Sequence, residues 1–171
     1  MECVRTEDIT PEISSLYEIS FSPIEKIPYE NIRRTFGEGG ELLSFSDDGA
    51  FIGFSLLYRC ASGIFLVYLA VRPDIRSKGY GARMLSAIRD TYPGCDIFLP
   101  MEPLDPGAGD IDMRRRRYGF YIRNGCTDSG YTVISDGYPF QILFLQGSVS
   151  KGTAESIIGE YEDLHNGRVR R

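Results

Sequence analysis

The residues best suited to chemistry lie in the run Arg76-Ser77-Lys78-Gly79-Tyr80-Gly81-Ala82. Its two glycines let backbone N–H groups approach a ligand closely and reach φ angles closed to other residues. A helix that starts there presents unpaired N–H donors and the positive end of its dipole. Arg76 and Lys78 add whole charges. Together these suit a diphosphate, although a G-x-G pair by itself is also common in ordinary turns. A P-loop does not fit, because no G-K-[S/T] follows. A dinucleotide-binding loop lacks its third glycine, since position 84 is Met84.

A second run, residues 114–126, carries four consecutive arginines, then Tyr118, Phe120, Tyr121 and Gly125-Cys126. Four cations on about one helical turn read either as a charged outer face, offset by the acids of residues 102–112, or as ligands for phosphate.

The elements around these runs follow from periodicity and punctuation. Apolar residues Ile13, Leu16, Tyr17 and Ile19 predict a helix over residues 11–21, with Thr10 as N-cap and Pro11 at its first position. A short helix follows over 29–36. Strands are predicted at 41–46, 50–58 and 64–71, joined by turns at Asp47-Asp48-Gly49 and Ala61-Ser62-Gly63. The third is almost wholly apolar, so it is buried on both faces. Helix 79–92 starts in the glycine loop. Strand 96–101 contains Pro100, which argues for an edge or a bulge. Asp110 caps a helix running to about Asn124, with Gly125 at its C′ position. A hairpin over 131–134 and 140–145 turns at Asp136-Gly137. A last helix covers 154–164, with His165 read as a surface residue, and the tail 168–171 frays. The order gives an α+β fold with a mixed sheet in one domain over residues 1–171.

Arg76-Ser-Lys-Gly79-Tyr-Gly81 matches at every fixed position the acetyl-CoA loop of the GNAT N-acetyltransferases, [R/Q]-x-x-G-x-[G/A], and the preceding Leu69-Ala-Val71-Arg-Pro resembles that family's splayed strand. Tyr118-Gly-Phe120-Tyr121 through Gly125 resembles its late helix. The likeness spans roughly residues 41–145. It departs at Cys126 (commonly Phe), at Arg114 (frequently Asn) and at Arg117 (frequently Ala). The resemblance implies a GNAT-like acyl-CoA N-acyltransferase fold: a mixed, mostly antiparallel sheet of about six to seven strands flanked by helices. It implies acetyl-CoA as co-substrate and a primary amine, on a small molecule or a protein, as acceptor. Leu69, Ala70 and Val71 would meet pantetheine, with backbone groups of Leu69 and Val71 making the contact. The amides of Arg76, Ser77, Lys78, Gly79, Tyr80, Gly81 and Ala82 would hold the pyrophosphate. Tyr121 takes the position of the usual general acid.

Acetyl transfer needs a neutral amine, a donor for the developing oxyanion, a proton for the departing thiolate, and both substrates held together. A phenol of pKa ~10 can supply the proton, or Tyr121 is only a packed aromatic beside Tyr118 and Phe120. A backbone N–H near Val71, freed by a bulge, can stabilise the oxyanion. The base is Glu102 at the end of the second crossover strand, another acid such as Glu25 or Glu30, or water. Asp105, Asp110 and Asp112 could draw in a cationic acceptor. A CoA-binding module that senses acyl groups without turnover is the alternative.

The bulk numbers narrow the class. With 24 acidic and 19 basic residues the net charge is −5, which speaks against nucleic acid as the partner. Cys3, Cys60, Cys95 and Cys126 have no C-x-x-C spacing and His165 is the one histidine, so no metal is expected. No apolar run reaches the ~20 residues of a membrane helix and no signal-peptide h-region opens the chain. These readings favour a cytoplasmic protein with reduced thiols and no membrane contact. A homodimer is allowed.

Overall fold

The computed structural model describes residues 1–168. They form a seven-stranded mixed sheet with five α-helices. In chain order these are β1 (Glu2–Thr6), α1 (Pro11–Ser20), α2 (Tyr29–Thr35), β2 (Gly40–Asp47), β3 (Ala50–Cys60), β4 (Gly63–Val71), α3 (Tyr80–Thr91), β5 (Ile97–Met101), α4 (Ile111–Arg123), β6 (Thr127–Ser135), β7 (Tyr138–Gln146) and α5 (Lys151–His165). A 3₁₀ turn, Pro73–Ile75, follows β4. The strands run β1-β2-β3-β4-β5-β7-β6 across the sheet. Among the described residues β4–β5 is the one parallel pair, as a strand–helix–strand crossover requires.

Most elements sit where the pattern predicts them. Thr10 accepts a hydrogen bond from the Ile13 N–H at 3.3 Å, and Pro11 opens α1. The predicted turns have left-handed residues, Asp48-Gly49 and Asp136-Gly137. Gly125 is left-handed after α4. Asp110 does stand at the N-cap of α4, but its side chain caps nothing and instead accepts from Arg114 Nε at 2.7 Å.

Three expectations need correction. Strand β1 was absent from the sequence pattern. Its residues Glu2-Cys-Val-Arg-Thr6 show no apolar alternation, and Val4 is 55% exposed. The strand exists because β2 offers an open edge, with Cys3 opposite Phe45. Pro100, read as marking an edge or a bulge, is not on a sheet edge, since β5 lies between β4 and β7 and Pro100 faces Ile142. The β5–β7 register does shift earlier in the strand, between Ile97 and Phe98. The proline is tolerated because β4 pairs with β5 only at Ile64–Ile97 and Phe65–Phe98, so the far half of β5 has a local free side.

His165 is the third. It is only 4% exposed, because α5 buries one continuous stripe of Ala154, Ile157, Ile158, Tyr161 and His165. Its ring lies 4.9 Å from Tyr161 and its Nδ1 has no hydrogen-bond partner among the described residues. Burial pushes the imidazole below its ordinary value. Asp136 and the Tyr161 backbone oppose that shift, while Arg168 and Arg34 reinforce it. A base depressed in the folded state gives up stability as pH falls through its unfolded value of about 6.5. We therefore expect the melting temperature to fall between pH 7 and pH 5. In His165→Phe, which keeps the ring packing and cannot titrate, that fall should shrink by roughly 2–4 °C per kcal/mol of linkage. Of the tail predicted to fray, residues 169–171 lie outside the described residues.

The sheet is covered on both faces. On one, α3 packs Met84, Leu85 and Ile88 over Leu43, Leu57, Leu66 and Leu99, and α4 joins it through Phe120 and Tyr121. On the other, α1 and α2 cover β2 to β4, and α5 covers Phe65, Phe98 and Ile142. The link between α1 and α2 is tied down by tyrosines. The Ile27 N–H donates to the Tyr17 hydroxyl at 2.8 Å, and the Tyr68 hydroxyl donates to the Glu25 carbonyl.

Candidate functional site

The site is built where the parallel pair comes apart. Strand β4 pairs with β3 as far as Val71, but with β5 only as far as Phe65. Beyond that point β4 and β5 diverge. The β5-facing edge of β4 has no strand partner there. Unpaired backbone groups on a strand edge are a template for an extended ligand with amide groups of its own.

A bulge aims this edge. Leu56 faces Tyr68 while Leu57 faces Leu66, so Val67 is an extra residue on β4. Val67 and Tyr68 consequently both pack on the α1 and α5 face, whereas Leu66 and Leu69 pack on the α3 face. The bulge was expected near Val71. It lies four residues earlier, deeper between the strands.

Past Val71 the chain makes the predicted loop. Ser77 and Gly79 are both left-handed, with φ of 64° and 82°. Ser77 is the strained one, since a residue with a Cβ pays for that region. Gly79 is the N-cap of α3, and its carbonyl accepts from Arg83 N–H at 3.1 Å. The N–H groups of Tyr80, Gly81 and Ala82 therefore have no acceptor within the helix. A side chain built at Gly79 would meet nothing within 4 Å, so the concave side of the turn is open. Alternating left-handed residues and a helix start form an anion-binding nest. Arg76 is exposed, and its Nε reaches back to the Val71 carbonyl at 3.2 Å. Lys78 is exposed beside it. These residues fit the diphosphate of a nucleotide-bearing ligand.

Gly81 does a different job. A Cβ there would lie 2.9 and 3.1 Å from the Phe120 ring, so the absent side chain lets α4 pack on the start of α3. Gly81→Ala should push Phe120 aside and cost about 1–3 kcal/mol, read as a drop of roughly 3–10 °C in melting temperature. Arg83 was not singled out in the sequence. It braces the same helix start through two bonds to Asp47, at 2.7 and 3.1 Å, and lies 5.2 Å from the Tyr80 ring centre. Asp47, read as a turn residue, also holds the N-terminal ammonium at 3.0 Å.

Helix α4 brings Tyr121 to the same face of the sheet as Leu69 and Val71. Tyr121 is half-buried and lies edge-on to Phe120 at 5.2 Å. Burial pushes its phenol up to about 12. The Arg117 guanidinium pulls the other way, and Cys126 and Glu102 add to the rise. Glu102, at the exit of β5, is also half-buried, and its Oε2 lies 2.6 Å from Arg117 Nη1. So Tyr121 and Glu102 are gathered around Arg117, one turn before Tyr121 on α4.

The arginine run is largely occupied. Arg114 Nε pairs with Asp110, and its Nη1 donates to the Pro103 carbonyl at 3.0 Å. Arg115 reaches Asp112 at 3.5 Å. Asp105 is engaged with the Gly107 N–H. Asp110 and Asp112 thus face arginines, while Asp105 accepts from a backbone N–H. Glu25 accepts from the Ser22 N–H at 2.8 Å, and Glu30 is exposed on α2. No group of metal-binding side chains occurs among the described residues, and no helix there is long and apolar enough to cross a membrane. All four cysteines are unpaired.

Comparison with known proteins agrees with this geometry. A search among curated proteins matches none. Among solved structures, a protein assigned to the GNAT acetyltransferase family from Bacteroides thetaiotaomicron is 23% identical over 93% of this chain and 92% of its own, with a TM-score of 0.73. An aminoglycoside 6′-N-acetyltransferase complexed with coenzyme A is 17% identical over 88% of this chain and 100% of its own, with a TM-score of 0.64. The ribosomal-protein-S18-alanine N-acetyltransferase from Escherichia coli is 15% identical over 88% and 98%, with a TM-score of 0.57. These likenesses show the fold. The sequence model of the acetyltransferase (GNAT) family matches residues 8–108, more than half of the chain, from the approach to α1 through the glycine loop and β5. A chain with that match, a parted β4–β5 pair and a nest at the head of α3 belongs to the GNAT acetyltransferase family.

Proposed function

We propose that this protein transfers an acetyl group from acetyl-CoA to a primary amine, with both substrates bound at once. The observation that carries the reading is the nest at Ser77–Ala82 beyond a β4 edge that β5 leaves unpaired, with Tyr121 on the same face of the sheet as Leu69 and Val71. The nest and Arg76 hold the diphosphate. Leu69, Ala70 and Val71 lie along the pantetheine, whose amides complete the unpaired edge. The thioester then reaches the bulge at Val67, where a backbone N–H released from the ladder faces the carbonyl oxygen. This places the oxyanion donor nearer Val67 than Val71.

The chemistry needs few groups. The amine nitrogen bonds to the acetyl carbon and gives up a proton to Glu102, directly or through water. The carbon–sulfur bond then breaks, and Tyr121 gives its proton to the sulfur, to be reprotonated through solvent from Glu102. Most of the acceleration comes from holding the two reactants in line, which can contribute up to about 7–11 kcal/mol. Two of the structural relatives are N-acetyltransferases of an aminoglycoside and of the alanine of a ribosomal protein, so the fold accommodates small and protein acceptors alike.

The test has two stages. Calorimetry with acetyl-CoA should show binding, and an amine panel read by free thiol release should show turnover. Absence of binding at millimolar acetyl-CoA would overturn the reading. Binding without turnover on any amine would instead make the protein an acyl-CoA sensor.

A further inference from the structure

The geometry points to Arg117 as a positioning residue for the transfer, fixing the Glu102 carboxylate beside Tyr121. This rests on the acetyltransferase reading above. Arg117 and Tyr121 are four residues apart on α4 and so share a helix face. The Arg117 side chain spans from that face to the exit of β5, where its Nη1 meets Glu102 Oε2 at 2.6 Å. Both partners are partly withdrawn from water, with side-chain exposures of 38% and 24%. A rigid guanidinium fork loses less freedom on pairing than an ammonium would.

Three consequences follow. One carboxylate oxygen is held by Arg117, which leaves Oε1 as the one free to take a proton. The Glu102 carboxylate is tied to the helix that carries Tyr121 by a single side chain. A positive charge also stands beside the phenol at the point where a thiolate forms, and it acts on Tyr121 against the effect of burial. Arg114 reinforces the arrangement by binding Asp110 and the Pro103 carbonyl, so both ends of residues 102–110 are fastened to α4. Arg114 and Arg117 thus clasp the loop after β5, with Arg117 as the chemical end.

The experiment compares Arg117→Met, Glu102→Gln and the double variant with the wild type, for the amine that the panel identifies. Met keeps the aliphatic stem of Arg117, and Gln keeps the shape of Glu102. Arg117→Met should lower kcat on the order of 10–100-fold, because a misplacement of ~1 Å can cost about 10²-fold. The KM for acetyl-CoA should stay within about twofold, since no ligand contact is removed. In the double variant the loss should match that of Glu102→Gln alone, as expected for residues acting through one contact. Arg117→Lys should recover part of the rate. An effect of Arg117→Met that multiplies onto Glu102→Gln, or a raised KM for acetyl-CoA at unchanged kcat, would overturn the assignment and make Arg117 a structural or phosphate-binding residue. A wild type that binds acetyl-CoA and acetylates nothing would overturn the acetyltransferase reading, and this assignment with it.

Discussion

Gly79→Val is expected to raise the dissociation constant for acetyl-CoA by about 10²–10³-fold while leaving the protein folded. The position has φ of 82° and caps α3. For an L-residue that conformation costs roughly 1–2 kcal/mol, and a β-branched side chain suffers most. Apart from its chain neighbours, no described residue lies within 4 Å of a Cβ at this position, so no clash with the core arises there. The space it enters is the open side of the nest. The loop can relieve its strain by rotating Gly79 out of the left-handed region, and the N–H groups of Tyr80, Gly81 and Ala82 then no longer converge. Hydrogen bonds to charged groups contribute roughly 1.5–3 kcal/mol each, so losing two of them accounts for a change of this size. Calorimetry gives the constant, and a melting curve within a few degrees of wild type shows that the fold persists. Binding that stays unchanged would mean the diphosphate is held elsewhere.

How much of this was legible in the sequence depends on the kind of signal. The glycine loop could be read because its demands fall on residue types: a left-handed N-cap needs Gly79, and a close helix approach needs Gly81. The meander and the late hairpin were legible for the same reason, in their turn residues and in apolar runs such as Ile64 to Val71. Strand β1 was not, because an edge strand with both faces partly wet carries no alternation. The bulge was expected but displaced. Val67 is one of eight consecutive apolar or aromatic residues, and only the pairing of Tyr68 with Leu56 and of Leu66 with Leu57 fixes which of them is the extra one. Tyr121 was found by likeness, in a part of the chain beyond the residues that the family's sequence model matches. The Glu102–Arg117 pair joins residues 15 positions apart through a loop whose path no local pattern dictates. Arg117 was visible as one of four consecutive arginines and as a departure from the small residue usual at that place. His165 could have been read better, since it continues the α5 stripe at the spacing of a buried position.

Tyr121→Phe is expected to lower kcat by about 10²–10³-fold, within the usual range for loss of a positioned acid, and to leave acetyl-CoA binding unchanged. The substitution removes one oxygen atom. Phe keeps the edge-on contact with Phe120 and the packing against the core beneath α3. Since the phenol oxygen is the one atom lost and the ring packing stays, the melting temperature should hold. The pH profile supplies the sharper test. The phenol is the acid in its protonated form, so its contribution is present below its pKa and lost above it. Burial pushes that value up to about 12, whereas an ordinary tyrosine titrates near ~10. Any descending limb of the wild-type kcat should therefore fall above pH 10. A descending limb centred at 10 would mean that the acid is a better-solvated group than Tyr121. An unchanged kcat in Tyr121→Phe would return Tyr121 to the role of a packed aromatic and leave the thiolate to take its proton from water.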